Sequence, residues 1–465
     1  MPSSPPASFS PINILVPVGA LGLGVKESDV FARVGEAHAI ACDAGSTDSG
    51  PAYLATGKAK YSRDSIKHDL SILMRAQAQA GIPLLIGSCG TSGCDQALEW
   101  TRDIALEIAR EHGLHPRIAL LYSEQAPELM AKKAREGRIS PLPPMRDSDP
   151  ALFETCDHIV ALMGPEPYVA ALEAGADIVL GGRSTDSAVL AAVPLMRGAG
   201  EGLAWHAGKI AECGSLCTTH PREGGVMIRV GRDDFTVEPL GPGNQCTVET
   251  IAAHMLYENS DPFLLQEPGC ILDVTQSTYS AVDERIVRVT GSQLVAQPYT
   301  MKLEGASGCG YQTIMLVGIQ DREVLANLDR FMAQMHDVLT ARVRQNMGER
   351  AGEFDVSLRA YGWNAVSGEQ PDARTAAPRE VGLLFVATAA TQEIATQIAK
   401  TCNPWLFHLP LNPCQELPSY AFPFSPAEME RGRVYEFKLN HVVHVDDPME
   451  LVRTVFLYAK ENVHA

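Results

Sequence analysis

The sequence predicts an α/β protein. It has a parallel, doubly wound sheet over its first half, a mixed β region after it, and a small ferredoxin-like α+β domain at the end. Three observations carry this expectation. Short apolar runs alternate with helix-length segments from Ile12 to about Arg197. These runs are continuously hydrophobic, as strands buried on both faces of a parallel sheet must be. Beyond residue 226 the runs become richer in β-branched residues and mostly follow one another without a helix between.

Strands are expected at 14–18, 37–42, 83–87, 117–122, 158–163 and 177–181, with helices at 63–80, 94–112, 126–137, 166–175 and 186–196. Repeated strand–helix–strand units imply right-handed crossovers and a doubly wound sheet or a barrel. The middle region offers strands at 226–230, 271–274, 286–290, 299–303 and 312–317, and a helix at 246–258. A long amphipathic helix at 322–343 carries Leu325, Leu328, Phe331, Met332, Met335 and Leu339 on one stripe, which reads as core. The tail reads as strands at 356–361, 381–388, 405–409 and 434–444 with helices at 392–402 and 448–461. The division drawn from this is a disordered 1–11, an α/β region over 12–345 and a small domain over 354–465, with a mobile loop at 368–379.

Composition narrows the function. Of 465 residues, 45% are hydrophobic and 20% charged, which is ordinary for a globular chain. The net charge of −18 repels nucleic acid and anionic lipid, and no basic cluster overrides it. No apolar stretch is long enough to span a bilayer and no secretory signal opens the chain. Eleven scattered cysteines suit reduced thiols in the cytoplasm rather than a disulfide framework. A homo-oligomer is expected on general grounds.

Ligands of open parallel sheets bind beyond the carboxyl ends of the strands. Three of the expected strands end in small, hydroxyl-bearing loops: Asp43-Ala44-Gly45-Ser46-Thr47-Asp48-Ser49-Gly50, Ser88-Cys89-Gly90-Thr91-Ser92-Gly93, and Gly182-Arg183-Ser184-Thr185-Asp186. Glycine lets backbone approach a ligand, and a helix start offers free N–H groups to an anion. The candidate substrate-binding residues are therefore Ser46, Thr47, Asp48, Ser88, Gly90, Thr91, Ser92, Arg183, Ser184 and Thr185, with Arg183 placed to fork a carboxylate or phosphate. The competing explanation is that these hydroxyls only cap helices. Ser46-Thr47-Asp48-Ser49 and Ser184-Thr185-Asp186-Ser187 echo one another. Neither a P-loop nor a convincing dinucleotide fingerprint is present, although 19–24 is Gly-rich.

Charged pairs supply candidates for proton transfer. Lys209 and Glu212 sit in a cluster with His206, Cys213 and Cys217; Lys302 and Glu304 are two apart on one strand face ahead of a Gly-rich stretch. Asp186 completes the catalytic candidates. A solvated helical ion pair and a surface salt bridge are the bland alternatives. A divalent cation, if one binds, would be held by Asp43, Asp48 and Asp186. The cysteines match no common zinc spacing, and Cys89 at a helix start lacks an identified His partner.

These strings resemble the acyclic terpene utilisation (AtuA-like) family: Cys-Asp-Ala-Gly-Ser-Thr-Asp-Ser-Gly-Pro at 42–51, Gly-Thr-Ser-Gly at 90–93, Gly-Gly-Arg-Ser-Thr-Asp at 181–186, Trp-His-x-Gly-Lys-Ile-x-Glu-Cys-Gly at 205–214 and Tyr-Thr-x-Lys-Leu-Glu-Gly at 299–305. The resemblance covers 12–345, and the tail is similar to a small ferredoxin-like domain that often follows. It implies breakdown of branched acyclic terpenoids as CoA thioesters, with CoA as part of the substrate, and assigns no catalytic residue. The expected function is a catabolic enzyme acting on a small carboxylate or its CoA ester by acid/base chemistry, as a hydro-lyase, isomerase or carbon–carbon lyase. A hydrolase of an amide, lactone or thioester using the 88–95 loop, and a non-catalytic subunit of a degradative complex, stay open.

Overall fold

Five short strands build the centre of the first unit, and each is buried along almost its whole length. They lie in the order Ile12–Val16, Ala39–Asp43, Leu84–Gly87, Ile178–Gly181, Arg117–Tyr122, all parallel. Alternate side chains feed two cores. Ile14, Ala41, Leu85, Leu121 and Val179 face one, and Leu15, Ile40, Ile86, Leu120 and Leu180 face the other. Helices Arg63–Ala80 and Asp95–His112 cover the second core. Helices Pro127–Arg135, Glu166–Glu173, Asp186–Met196 and Glu201–Ala211 cover the first. This computed structural model describes residues 9–369, 377–414 and 416–459.

The chain is mixed α/β and divides into two compact units, Met1–Ser307 with Phe437–Ala465, and Gly308–Glu436. The units part at 307/308 and 436/437. In the first unit the parallel strands continue into antiparallel ones, Val226–Val230 beside Ile12–Val16, then Asp234–Pro239, Val287–Thr290 and Thr278–Ala281. A separate antiparallel sheet joins Leu264–Glu267, Cys270–Asp273 and Gln293–Ala296. The second unit runs strand, helix, strand, strand, helix, strand around its own core. Phe354–Tyr361 pairs with Val381–Ala389, which pairs with the 311–319 stretch of the long strand Thr300–Ile319. Helices Leu328–Met347 and Gln392–His408 pack there.

Five expectations change. Strand His158–Ala161 does not join the parallel sheet; it pairs antiparallel with Leu303–Ala306. The place it would take is filled by Arg453–Tyr458, which lies antiparallel on Arg117–Tyr122. That segment was expected to be helical, but Thr454, Val455, Phe456 and Tyr458 favour a strand once an unpaired sheet edge is available. Residues 405–409 are not a strand; the helix runs through Pro404 to His408, with Leu406 buried and the Arg342 guanidinium 4.4 Å from the Trp405 ring. The segments at 299–303 and 312–317 are one strand of 20 residues, so the glycines at 305, 308 and 310 lie within a strand rather than a loop. The long helix at 322–343 is broken at Asn327 into Arg322–Ala326 and Leu328–Met347.

At the start of the chain, Phe9 packs on the first core and lies under Arg232, while residues 1–8 of the expected disordered segment fall outside the described residues. So do 370–376 of the expected mobile loop. The Gly-rich stretch 19–24 is occupied internally: Asp69 accepts from the N–H groups of Gly22, Gly24 and Val25 at 2.8–3.0 Å. Cys42, Cys89, Cys94, Cys156, Cys213, Cys217, Cys246, Cys270, Cys402 and Cys414 carry free thiols. Among the described residues no helix is long and apolar enough to cross a membrane.

Candidate active site

The loop after Leu84–Gly87 and the loop after Ile178–Gly181 are stitched together by their backbones. Ser88 N and Cys89 N donate to Gly182 O and Gly181 O, and Arg183 N donates to Gly93 O at 3.1 Å. Gly93 must be glycine, because a Cβ there would stand 2.2 Å from Arg183 N. Ser88 (φ 46°) and the β-branched Thr91 (φ 81°) are held in the left-handed region that side chains resist. Thr91 Oγ1 accepts from Lys60 N at 3.0 Å.

These contacts place Arg183, which is almost fully buried. Its Nε donates to Glu304 Oε2 at 3.1 Å, and its Nη1 reaches Ser88 Oγ, Ser184 O and Asp186 Oδ1 at 3.1–3.2 Å. Thr47 Oγ1 donates to the same Glu304 oxygen at 2.9 Å, and Lys302 Nζ lies 3.0 Å from the other. Burial pushes the Glu304 carboxyl up, but Arg183 and Lys302 outweigh it and hold it at about 2. Glu304 is thus a buried anion between two cations, not half of a surface salt bridge.

Helix Glu201–Ala211 is buried from Gly202 to Ala211, so the cluster containing Lys209 is no solvated turn. Its spacing turns Lys209 towards Glu212, and Nζ lies 2.5 Å from Oε1. Burial raises Glu212 to about 8 against the pull of Lys209, with Asp186 adding to the rise. The Lys209 ammonium is pushed down by burial, but Glu212, Glu267 and Asp186 more than reverse this. Asp186, at the start of helix Asp186–Met196, is also raised by burial; Arg183 and Lys209 oppose the shift and Asp48 reinforces it. Asp43 is raised well above the ordinary carboxylate range by burial and by Asp186, and its Oδ1 has no hydrogen-bond partner.

Two cavities of about 810 and 740 Å³ meet at Asp48, Asp186, Glu212 and Glu258. The larger takes in Asp43, Ser46, Lys60, Thr91 and Arg222; the other takes in Arg183, Thr185, Lys209, Glu267 and Lys302. The two echoed Ser-Thr-Asp-Ser strings therefore serve one cleft. Ser46 caps the single turn Thr47–Ser49 and lies 2.5 Å from Asp48 Oδ2.

Other candidates support the walls instead. Ser184 Oγ is bound to Tyr168 OH at 2.7 Å, Ser92 Oγ donates to Cys94 Sγ, and Gly90 is pressed against Ala97. Cys89 is fully buried and burial pushes its thiol up, away from a reactive thiolate. Among the described residues, Asp43, Asp48 and Asp186 are not brought together as a three-donor metal group. Sequence reasoning missed Glu267, which ends strand Leu264–Glu267; burial raises it to about 7, and it accepts from Ser187 Oγ at 2.7 Å. Its one signal was the Glu-Pro-Gly turn at 267–269.

The model of the acyclic terpene utilisation family protein AtuA matches residues 42–413. The chain belongs to the AtuA family. The AtuA match takes in the strand-end loops, Arg183, the Lys209–Glu212 pair, Glu267 and Glu304 alike. Membership of the AtuA family points to a catabolic role and names no reaction. No match was found among curated proteins or among solved structures.

Proposed function

We propose that this AtuA-family chain is a catabolic enzyme that moves a proton at carbon next to a carbonyl, on a small carboxylate or its CoA ester. The reaction class is a hydro-lyase, isomerase or carbon–carbon lyase. The observation that carries the reading is the pair of buried carboxyls, Glu212 and Glu267, that line one cleft with Lys209 and are both pushed up by burial. Burial pushes both carboxyls up from the ordinary carboxylate range towards neutrality, which fits them to give and take a proton. The Lys209 ammonium stabilises the negative charge that develops on the substrate oxygen.

Arg183 and Lys302 supply fixed positive charge for the substrate carboxylate, and Glu304 anchors both of them. The first turn of helix Asp186–Met196 adds N–H donors. A CoA ester would extend into the larger cavity, where Lys60 and Arg222 answer its phosphates and Leu23, Leu216 and Tyr257 its apolar parts. The hydroxyls of Ser88 and Ser92 are already committed to Arg183 and Cys94, which favours acid/base chemistry over a hydrolase nucleophile in that loop. The same reading takes the parallel sheet as doubly wound and the second unit as ferredoxin-like.

A thermal-shift screen against CoA, acyl-CoA esters and di- and tricarboxylates tests the substrate class. A ligand at 100 times its dissociation constant stabilises by about 2.7 kcal/mol. A shift with at least one class is expected, and Lys302→Ala should weaken it. No shift with any of them, or binding that is tight without turnover, would count against this enzyme and for a non-catalytic subunit.

A further inference from the structure

Three side chains that take no part in this chemistry converge beside it. Cys94 closes the loop that holds Arg183, Glu124 follows strand Arg117–Tyr122, and His158 opens strand His158–Ala161. The Cys94 Sγ, a Glu124 carboxylate oxygen and a His158 ring nitrogen all lie within 4.8 Å of one another. We propose that these three residues bind one divalent transition-metal ion of the zinc class.

The spacing suits such an ion. Around one tetrahedral zinc, ligand atoms about 2.0–2.3 Å from the metal lie about 3.3–3.6 Å apart, so the 2.6 Å Glu124–His158 contact opens as the ion enters. The donor set is one sulfur, one imidazole nitrogen and one carboxylate oxygen, which selects a borderline-soft metal over magnesium or calcium. Glu124 is already oriented, with Oε2 accepting from Asp95 N at 2.7 Å and Oε1 lying 2.6 Å from His158 Nδ1. A His–carboxylate pair alone gives no reason for a fully buried thiol to join it. Next to Glu124, Asp95 Oδ1 is buried without a hydrogen-bond partner and is a further oxygen donor at hand. The Glu124 and His158 side chains are about one fifth exposed, which leaves the ion a path in and a water as an additional ligand. As the metal–sulfur bond forms, the Cys94 thiol proton passes to water.

The placement assigns the ion a positioning role. Each ligand-bearing segment also holds the Arg183 backbone: Gly93 O accepts from Arg183 N, while Ser123 Oγ and Met163 N donate to Arg183 O. One ion at Cys94, Glu124 and His158 ties these three segments together where they grip that residue.

Cobalt(II) titration of the chelator-stripped full chain tests this by absorbance. The expected result is a thiolate-to-cobalt charge-transfer band that saturates at one equivalent, is removed by added zinc, and is lost in Cys94→Ser. His158→Gln should weaken or shift it, with far-UV circular dichroism confirming that each variant is folded. The wild-type titration is decisive even if a variant misfolds. Absence of the band in wild-type protein, or its persistence unchanged in Cys94→Ser, would overturn the site. Metal uptake is read without turnover, so it stands or falls apart from the acid/base chemistry.

Discussion

Glu304 stays ionised in a dry site because two cations and a threonine hydroxyl hold it there. Removing one partner from such a pair is costly, since the remaining charge is stranded. Arg183→Met is therefore expected to cost about 3–5 kcal/mol of unfolding free energy, read from denaturant melts. Glu212 makes the opposite case, a carboxyl that burial pushes up. Its folded value of about 8 lies above its ordinary 4.5, so its stabilising contribution is full below 4.5 and is lost as pH rises through about 8. Wild-type Tm should fall over that window, and Glu212→Gln should flatten the fall. An unchanged pH slope in the variant would show that Glu212 is ionised in the fold.

The strand-end loops work as rigid parts because glycine lets two backbones touch. Gly93→Ala would force a Cβ against the Arg183 backbone and strain a positive φ of 63°. The expected cost is about 1–3 kcal/mol from overpacking, with more from the backbone, and a larger loss of activity than of stability. Paired stability and turnover measurements check that order. These loops were legible in the sequence because small and hydroxyl residues after an apolar run have a local cause, and helix Asp186–Met196 begins where its Ser-Thr-Asp string predicted. Elements fixed by distant partners were not legible. His158–Ala161 reads as one more parallel strand, yet its neighbour is set by which sheet edge the end of the chain occupies. Glu267 reads as a turn residue until helices and strands from elsewhere bury it beside Lys209. Cys94, Glu124 and His158 have no spacing to notice, because a helix start, the loop after one strand and the start of another bring them together.

At the scale of the molecule, the first unit takes back the end of the chain to finish its sheet. Arg453–Tyr458 covers the edge of Arg117–Tyr122, and Arg453 lies 3.8 Å from the Tyr122 ring centroid. Deleting residues 453–465 should expose an apolar strand edge, lower Tm and cause aggregation on heating, followed by light scattering. Full solubility and an unchanged melt would show that this strand is dispensable. The cleft, in turn, draws on loops from across the first unit, so the central claim concerns what those loops do together. Its most direct test is hydrogen exchange: incubate the protein in D₂O with the ligands that shift its melt, and follow deuterium at the carbon next to the carbonyl by mass spectrometry. The account predicts deuterium incorporation with at least one ligand, reduced 100-fold or so in Glu267→Gln and Lys209→Met, the lower end of general acid–base effects. Turnover without any deuterium at that carbon, or exchange at full rate in both variants, would contradict it.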